Sequence, residues 1–364
     1  MVGVMRCIPF SVGWAFLMTC ASLLPACASR EAMGQRSLSI LGAGVVNDPK
    51  NRSLRFDLLK FGLERFCSEM SARGLALKMS DDEPVMGRFY ASACNTQTLD
   101  EDTRKSFVVQ YAGSGFATSP QGGRVGFSTT GLVEYSPDFL MKDGALYVYF
   151  RPRVVDATGF QTLLVESQLT ATAIKLFGVN ADAFGRKVVD SQLRRGFTVV
   201  RYGTTGETDF GLGVIALGEK PYHPFQVDTE DKQMLVNERT EVHLGQQDYI
   251  GPLSVDEDGQ ALYFTLKLEG SQAVDALLVS EPVGKAAIDA FTKQPGPVAL
   301  TGAALLNEPV TRGALWKRYV PAPKGRYYLV LDNSAGAGRT TPPAGPADGQ
   351  SARTDVLVLL GDQP

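Results

Sequence analysis

The stretch Leu146-Tyr147-Val148-Tyr149-Phe150 decides the fold of the first half of this 364-residue chain. Aromatic and β-branched residues dominate it, which is the composition of a strand. Successive strand side chains point to opposite faces. Both faces are apolar here, so burial on both sides is expected. Turn signals bracket it: Lys142-Asp143-Gly144 before, and Asp156-Ala157-Thr158-Gly159 after. Working outward, the candidate strands are Met86–Ala93, Ser106–Ala112, Gly123–Tyr135, Ala145–Arg151 and Phe160–Leu169, with a further turn at Pro120-Gln121-Gly122-Gly123. Connections this short favour an antiparallel meander over parallel crossovers.

Two helical patterns flank the meander. In Ser53–Arg73 one row of apolar residues is Leu54, Leu58 and Phe61, and a second is Leu59, Leu63, Phe66 and Met70. Ser53 is placed to cap this helix and Gly74 to end it. The second pattern covers Asp182–Arg195, with Asn180 or Asp182 as cap, Phe184, Val188 and Leu193 facing inward, and Gly196 at its end. Strands at Phe197–Arg201 and Phe210–Leu217 follow. Residues 53–217 are therefore expected to be an α+β domain, an antiparallel meander packed with two helices. The order helix, meander, helix, strand resembles the TULIP superfamily of lipid-binding domains. That resemblance implies a lipid held between helices and sheet; a solid core is the alternative.

Residues 218–239 break the periodicity with Glu219-Lys220-Pro221-Tyr222-His223-Pro224 and Asp228-Thr229-Glu230-Asp231-Lys232, and are expected to be a linker. Residues 240–364 are expected to form an all-β sandwich from strands at Thr240–Leu244, Ala261–Leu268, Ala273–Val279, Leu315–Val320, Arg326–Asp332 and Thr354–Leu360. The stretch from Gly325 to Asn333 resembles the closing strand of pre-peptidase C-terminal or GOLD-like sandwich domains. Those are accessory or interaction modules. Trp316, Tyr319, Tyr327 and Tyr328 are the aromatics considered for a contact surface, with burial of alternate members as the competing reading. Residues 336–350, rich in Gly, Pro and Ala, should form a loop before the last strand.

The chain opens with Arg6 in a short basic segment and an apolar run from Ile8 to Leu24. Leu24-Pro25-Ala26-Cys27 closes that run and resembles the lipobox of bacterial lipoproteins. Pro25 departs from the small residue usual at its position. The resemblance implies cleavage after residue 26, lipid on Cys27, an extracytoplasmic chain tethered by residues 27–52, and, from Ala28, placement at the outer membrane. An ordinary cleaved signal and an uncleaved helix are the alternatives. Of the five cysteines, Cys7 and Cys20 then lie in the signal, and Cys67 and Cys94 remain. An even remainder in an oxidising compartment reads as one disulfide, with two free thiols as the alternative.

Lys and Arg number 36 against 39 Asp and Glu, a formal net charge of −3 that becomes −4 if residues 1–26, which carry Arg6 alone, are removed. A weakly acidic chain is a poor nucleic-acid binder, which needs clustered cations. His223 and His243 are the two histidines, and no HExxH, CxxC, G-x-S-x-G or P-loop pattern is present. No metal site and no cofactor are therefore expected. Asp256-Glu257-Asp258-Gly259 resembles the start of a calcium loop but lacks the distal bidentate carboxylate, and reads as a hairpin turn. The expected function is a non-enzymatic binding or structural role at the envelope. The membrane would be engaged through the lipid on Cys27, with an envelope protein, a glycan or a lipid as partner. Lipid binding through residues 53–217 is one alternative. A hydrolase using a carboxylate pair is the other.

Overall fold

The computed structural model describes residues 48–51, 74–101, 104–119, 123–156, 159–166, 193–202, 208–213, 215–227, 231–342 and 351–364, with positions 56, 66, 67, 71, 182 and 189 between them. The first half is an antiparallel sheet of eight strands: β1 (Leu75–Leu77), β2 (Gly87–Asp100), β3 (Lys105–Ser119), β4 (Gly123–Lys142), β5 (Ala145–Asp156), β6 (Gln161–Val165), β7 (Phe197–Tyr202) and β8 (Thr208–Leu212). Their order is β1-β2-β3-β4-β5-β7-β8, with β6 paired to β4. The 20-residue β4 organises this sheet. One of its edges follows β3 throughout, while the other pairs first with β6 at Val125–Ser128 and then with β5 at Leu132–Lys142. The β4–β5 hairpin turns through Asp143 (φ 50) and Gly144 (φ 76). Two consecutive positive φ values make the tight turn that matches strand twist, hence Asp-Gly.

Both faces of β5 are buried, as the alternation implies. Phe150 joins Phe89, Phe107, Phe127 and Phe197 in one aromatic core, while Tyr147 and Tyr149 pack with Val200 on the other face. The Phe150 and Phe197 rings stack at 4.3 Å. Burial of each such ring stabilises by roughly 1.5–3 kcal/mol. Cys67 and Cys94 form the expected disulfide, with Cα atoms 5.3 Å apart, tying Cys67 to β2. A closed loop of that length stabilises by about 3–4 kcal/mol in the chain-entropy account. Replacing both cysteines by alanine is expected to lower the urea midpoint accordingly. An unchanged midpoint would mean the loop is already held by packing.

The second half comprises β9 (Gln233–Val242), β10 (Gln247–Val255), β11 (Gln260–Gly270), β12 (Ala273–Ser280), β13 (Ala304–Thr311), β14 (Leu315–Pro321), β15 (Gly325–Asp332) and β16 (Ala352–Asp362). They form two four-stranded antiparallel sheets, β10-β15-β12-β13 and β14-β11-β16-β9. Ile250, Leu262, Phe264, Leu278, Leu329 and Val358 meet in the core between these sheets. Helix α1 (Glu281–Lys293) follows β12 directly, with proline in its first turn, Glu281 at its start and Lys293 at its end. Both charges suit the helix dipole.

The fold class expected from sequence is corrected here. The described residues are predominantly strand, and the helix described along its whole length is α1, inside the region expected to hold strands only. The helices expected at 53–73 and 182–195 fall almost wholly outside the described residues. There, Phe56, Phe66, Cys67, Ser71, Asp182, Val189 and Leu193 have helical backbone. The eight-stranded sheet receives the helical residues Phe66, Val189 and Leu193 against its aromatic core. Its β3 and β4 end is covered by α1 from the second half. No helix is expected from sequence at 281–293, so the element that covers this end of the sheet is absent from the expected layers.

Helix α1 is the wedge between the halves. Ala287, Ile288 and Phe291 pack on Tyr249, Leu277, Val279, Tyr328 and Val330 of one sheet and on Phe116 of β3. On β4 the helix lands at Gly126, where an added Cβ would lie 1.8 Å from the carbonyl oxygen of Thr292. Gly126→Ala is therefore expected to destabilise by about 1–3 kcal/mol through overpacking. A neutral result in thermal unfolding would contradict the close approach. The segment ahead of β2 adds to the join: Val85 pairs in parallel with Thr240, through Val85 N to Arg239 O (2.8 Å) and Glu241 N to Val85 O (3.0 Å).

Candidate functional site

The polar residues of greatest consequence line this junction, and the start of β10 supplies two of them, Gln247 and Asp248. Asp248 accepts from Arg88 Nε at 2.6 Å and Nη2 at 2.8 Å, and from Thr240 Oγ1 at 2.8 Å. Arg88 Nη2 also reaches Glu238 Oε1 at 2.5 Å. Arg88 comes from β2 and is 2% exposed; its partners belong to the second half. Burial opposes its charge, but Asp248 and Glu238 outweigh burial and hold its pKa well above the ordinary value. A bidentate fork on a carboxylate is the strongest form of such a pair. Tyr90, two residues on, donates to the carbonyl of Tyr249 at 2.5 Å.

Arg124 of β4 plays the matching part at the other end of the seam. It is fully buried, its guanidinium lies 3.6 Å from the Phe291 ring centre, and it donates to the carbonyls of Gln294 (2.6 Å) and Gly296 (3.0 Å). Those carbonyls sit at the C-terminal end of α1, where a cation is favoured. Glu166 accepts from Arg124 Nη2 at 3.2 Å, from Gln246 Nε2 at 2.7 Å and from Gly296 N at 2.7 Å. Burial pulls the Arg124 pKa below its usual value, and Glu166 works against that shift. Gln247 clips the loop after α1, exchanging two bonds with the backbone of Val298 at 2.9 and 3.0 Å. A cavity of about 10 Å³, lined in part by Met86, Gly87, Thr240 and Asp248, leaves room for one water.

The carboxylates of Asp275 and Asp332 face each other in register on β12 and β15, and both are fully buried. A loop fastens over them. Asp332 accepts from the backbone of Ser334, Ala337 and Gly338, and Asp275 Oδ2 accepts from Thr340 N and Oγ1, each at 2.7 Å. Burial raises the Asp332 pKa despite those bonds. The pair holds a loop rather than lining a cleft. Chemically, the seam pairs opposite charges across two sheets, and its main effect is to join them.

The four aromatics named from sequence separate. Trp316 lies in the core between the two small sheets, Tyr328 in the core under α1, and Tyr327 is buried with its hydroxyl donating to Pro323 O at 2.7 Å. Tyr319 alone is exposed, at 52%. It projects from β14, an edge strand, directly opposite Tyr263 of β11. Their ring centres lie 6.0 Å apart and 30° from coplanar. Tyr263 is fixed by its hydroxyl to Asp362 O at 2.5 Å, and the Lys232 ammonium lies 4.9 Å from its ring. Leu359 and Met234 continue the row across the sheet. Tyr263 was not singled out from sequence, although its alternation with Leu262 and Phe264 already points it away from the core.

The remaining sequence candidates are placed as follows. Cys27 lies outside the described residues. No helix among the described residues is long and apolar enough to cross a membrane. Among the same residues no group of three or more His, Cys, Asp and Glu side chains is arranged to hold a metal ion. Asp256-Glu257-Asp258-Gly259 is the β10–β11 turn, where Gln260 Oε1 accepts from the backbone of Asp256 and Glu257, both at 3.0 Å. His243 Nδ1 meets Ser351 Oγ at 2.7 Å, and burial lowers its pKa. No protein-family model matches the chain, and no curated protein matches it.

Proposed function

We propose that this chain is a non-catalytic binding protein of the cell envelope, tethered by lipid on Cys27, whose body presents the Tyr319–Tyr263 platform to a glycan. The observation that carries the reading is the exposed Tyr319 ring beside the partly exposed Tyr263 ring on the outer face of a sheet whose Trp316 lies in the core. Flat aromatic rings accept the C–H faces of sugars. Gln260, Gln363 and the Lys232 ammonium stand near enough in sequence and register to serve hydroxyls at the rim. The charged seam supports a fixed presentation, because the platform then moves with the whole body.

Two other readings are weaker on specific grounds. Lipid binding in residues 53–217 needs space against the sheet. There the Phe66 ring lies 5.2, 6.1 and 5.7 Å from those of Phe107, Phe150 and Phe197, which fills that region with side chains. A hydrolase needs its carboxylates at a cleft, and Asp275 and Asp332 are held under a loop.

The test is a glycan array probed with the full-length chain in detergent. Binding to at least one glycan is expected, and Tyr319→Ala should weaken it about 30-fold, the effect of removing a ~2 kcal/mol contact residue, with an unchanged unfolding midpoint. Silence across the array, or binding indifferent to Tyr319→Ala and Tyr263→Ala, would overturn the platform. Intact-mass measurement of membrane-extracted protein tests the tether separately: an unmodified Cys27 would overturn it.

A further inference from the structure

Residues 215–227 run from the last strand of the eight-stranded sheet toward β9, and His223 stands within them. Its ring touches both halves. Nε2 lies 2.6 Å from Asp209 Oδ2 on β8, and Nδ1 lies 3.0 Å from the carbonyl oxygen of Asn237 on β9. Both neighbours are acceptors. A neutral imidazole has one N–H and one lone pair, so it satisfies one of them and sets a lone pair against the other. The imidazolium satisfies both.

The flanking residues are stitched in the same way. Tyr222 N donates to Asp81 Oδ2 at 2.7 Å, while the Asn237 side chain accepts from Phe225 N at 3.3 Å and donates to Phe225 O at 2.9 Å. We propose that His223 is a pH-set latch: protonated, it clamps this connector to both sheets, and deprotonated, it releases one of them.

The charges facing the ring agree with this direction. Asp209 faces it from β8, the Asn237 carbonyl from β9, and Asp81 from the turn before β2, with Lys78 3.5 Å from Asp81 and the Arg239 guanidinium 5.8 Å from the Tyr222 ring. Burial alone would lower the histidine's pKa. The bond to Asp209, the charge of Asp209, the Asn237 carbonyl and the charge of Asp81 together outweigh it and raise the pKa above the ordinary value. A histidine raised on folding stabilises fully below its unfolded pKa of about 6.5. That contribution is lost as pH climbs through the higher folded value. The latch is therefore closed in mild acid and opens on the alkaline side.

With only two histidines in the chain, the experiment is direct. Ring resonances of the full-length protein are titrated by NMR, and a His223→Gln variant assigns them. His223 should titrate above 6.5 and His243 below it. Over the same range, amide hydrogen-exchange protection factors, corrected for intrinsic rates, are followed at Tyr222 and Phe225. They should fall about tenfold as His223 loses its proton, the effect of one hydrogen bond, and stay flat with pH in His223→Gln. A His223 that titrates at or below 6.5, or protection that is constant through its titration, would overturn the latch. Neither result bears on the tyrosine platform.

Discussion

Replacing Arg88 by alanine is expected to lower the unfolding free energy by about 3–5 kcal/mol, the range for breaking a buried ion pair from one side. The reason is what remains. Asp248 is buried, and its two guanidinium bonds, at 2.6 and 2.8 Å, would be gone, leaving the Thr240 hydroxyl and the Tyr249 amide to hold a carboxylate without a counter-charge. Glu238 sits at the solvent edge of the network, with 19% of its side chain exposed, so Glu238→Gln should cost about 1 kcal/mol. Replacing both partners, Arg88→Met with Asp248→Leu, should recover part of the loss. Recovery stays incomplete because Thr240 and the Tyr249 amide then lose their acceptor. Urea denaturation of the three variants checks the ordering. An Arg88→Ala variant no weaker than the double one would contradict the charge-pair account.

The second large effect is expected at Phe291. The ring is fully buried and touches each body that meets at the junction: Phe116 of β3 at 4.9 Å, Tyr249 of β10 at 5.3 Å, and the Arg124 guanidinium at 3.6 Å. Phe291→Ala should cost about 3–5 kcal/mol, as large-to-small core changes do when the surroundings cannot collapse. Collapse is limited here because sheets press on the helix from two sides. The variant also strips Arg124 of its aromatic partner, a contact of about 1–2 kcal/mol when desolvated. Phe291→Leu keeps more of the volume and should cost less. Thermal unfolding with both variants reads the difference, and a loss under 1 kcal/mol for alanine would mean that α1 does not hold the halves together.

Sequence carried a good part of the first half. Asp143-Gly144 marks a turn that only positive φ values can make, and the alternation in Leu146–Phe150 correctly implies two buried faces. The Cys67–Cys94 disulfide was legible from the even number of cysteines left beyond the N-terminal segment. The junction was not legible. Gln247-Asp248 falls outside every strand expected from sequence, yet it opens β10, and the partner of Asp248 is 160 residues away in the chain. Nothing local in a sequence reports a counter-charge on another sheet. Pro252 adds to the disguise, and it is tolerated because it falls at the register shift between Ile250 and Leu253.

The two tyrosines of β15 show a second limit. Alternation sends Tyr327 and Tyr328 to opposite faces, which normally exposes one of them. Here one face meets the opposing sheet and the other meets α1, so both are buried. On β14, an edge strand, the same alternation does expose Tyr319. Which face is wet depends on the third layer, and that layer, the helix at Glu281–Lys293, was not expected from sequence.

The central claim is that the seam fuses the eight-stranded sheet and the two small sheets into one cooperative body. Pulsed hydrogen–deuterium exchange across a urea titration of the full-length chain, read by mass spectrometry, tests it most directly. Peptides from β2–β5 and from β11–β16 should exchange with one shared midpoint, and Arg88→Ala should draw the two midpoints apart. Separate midpoints in the unaltered protein would contradict the claim.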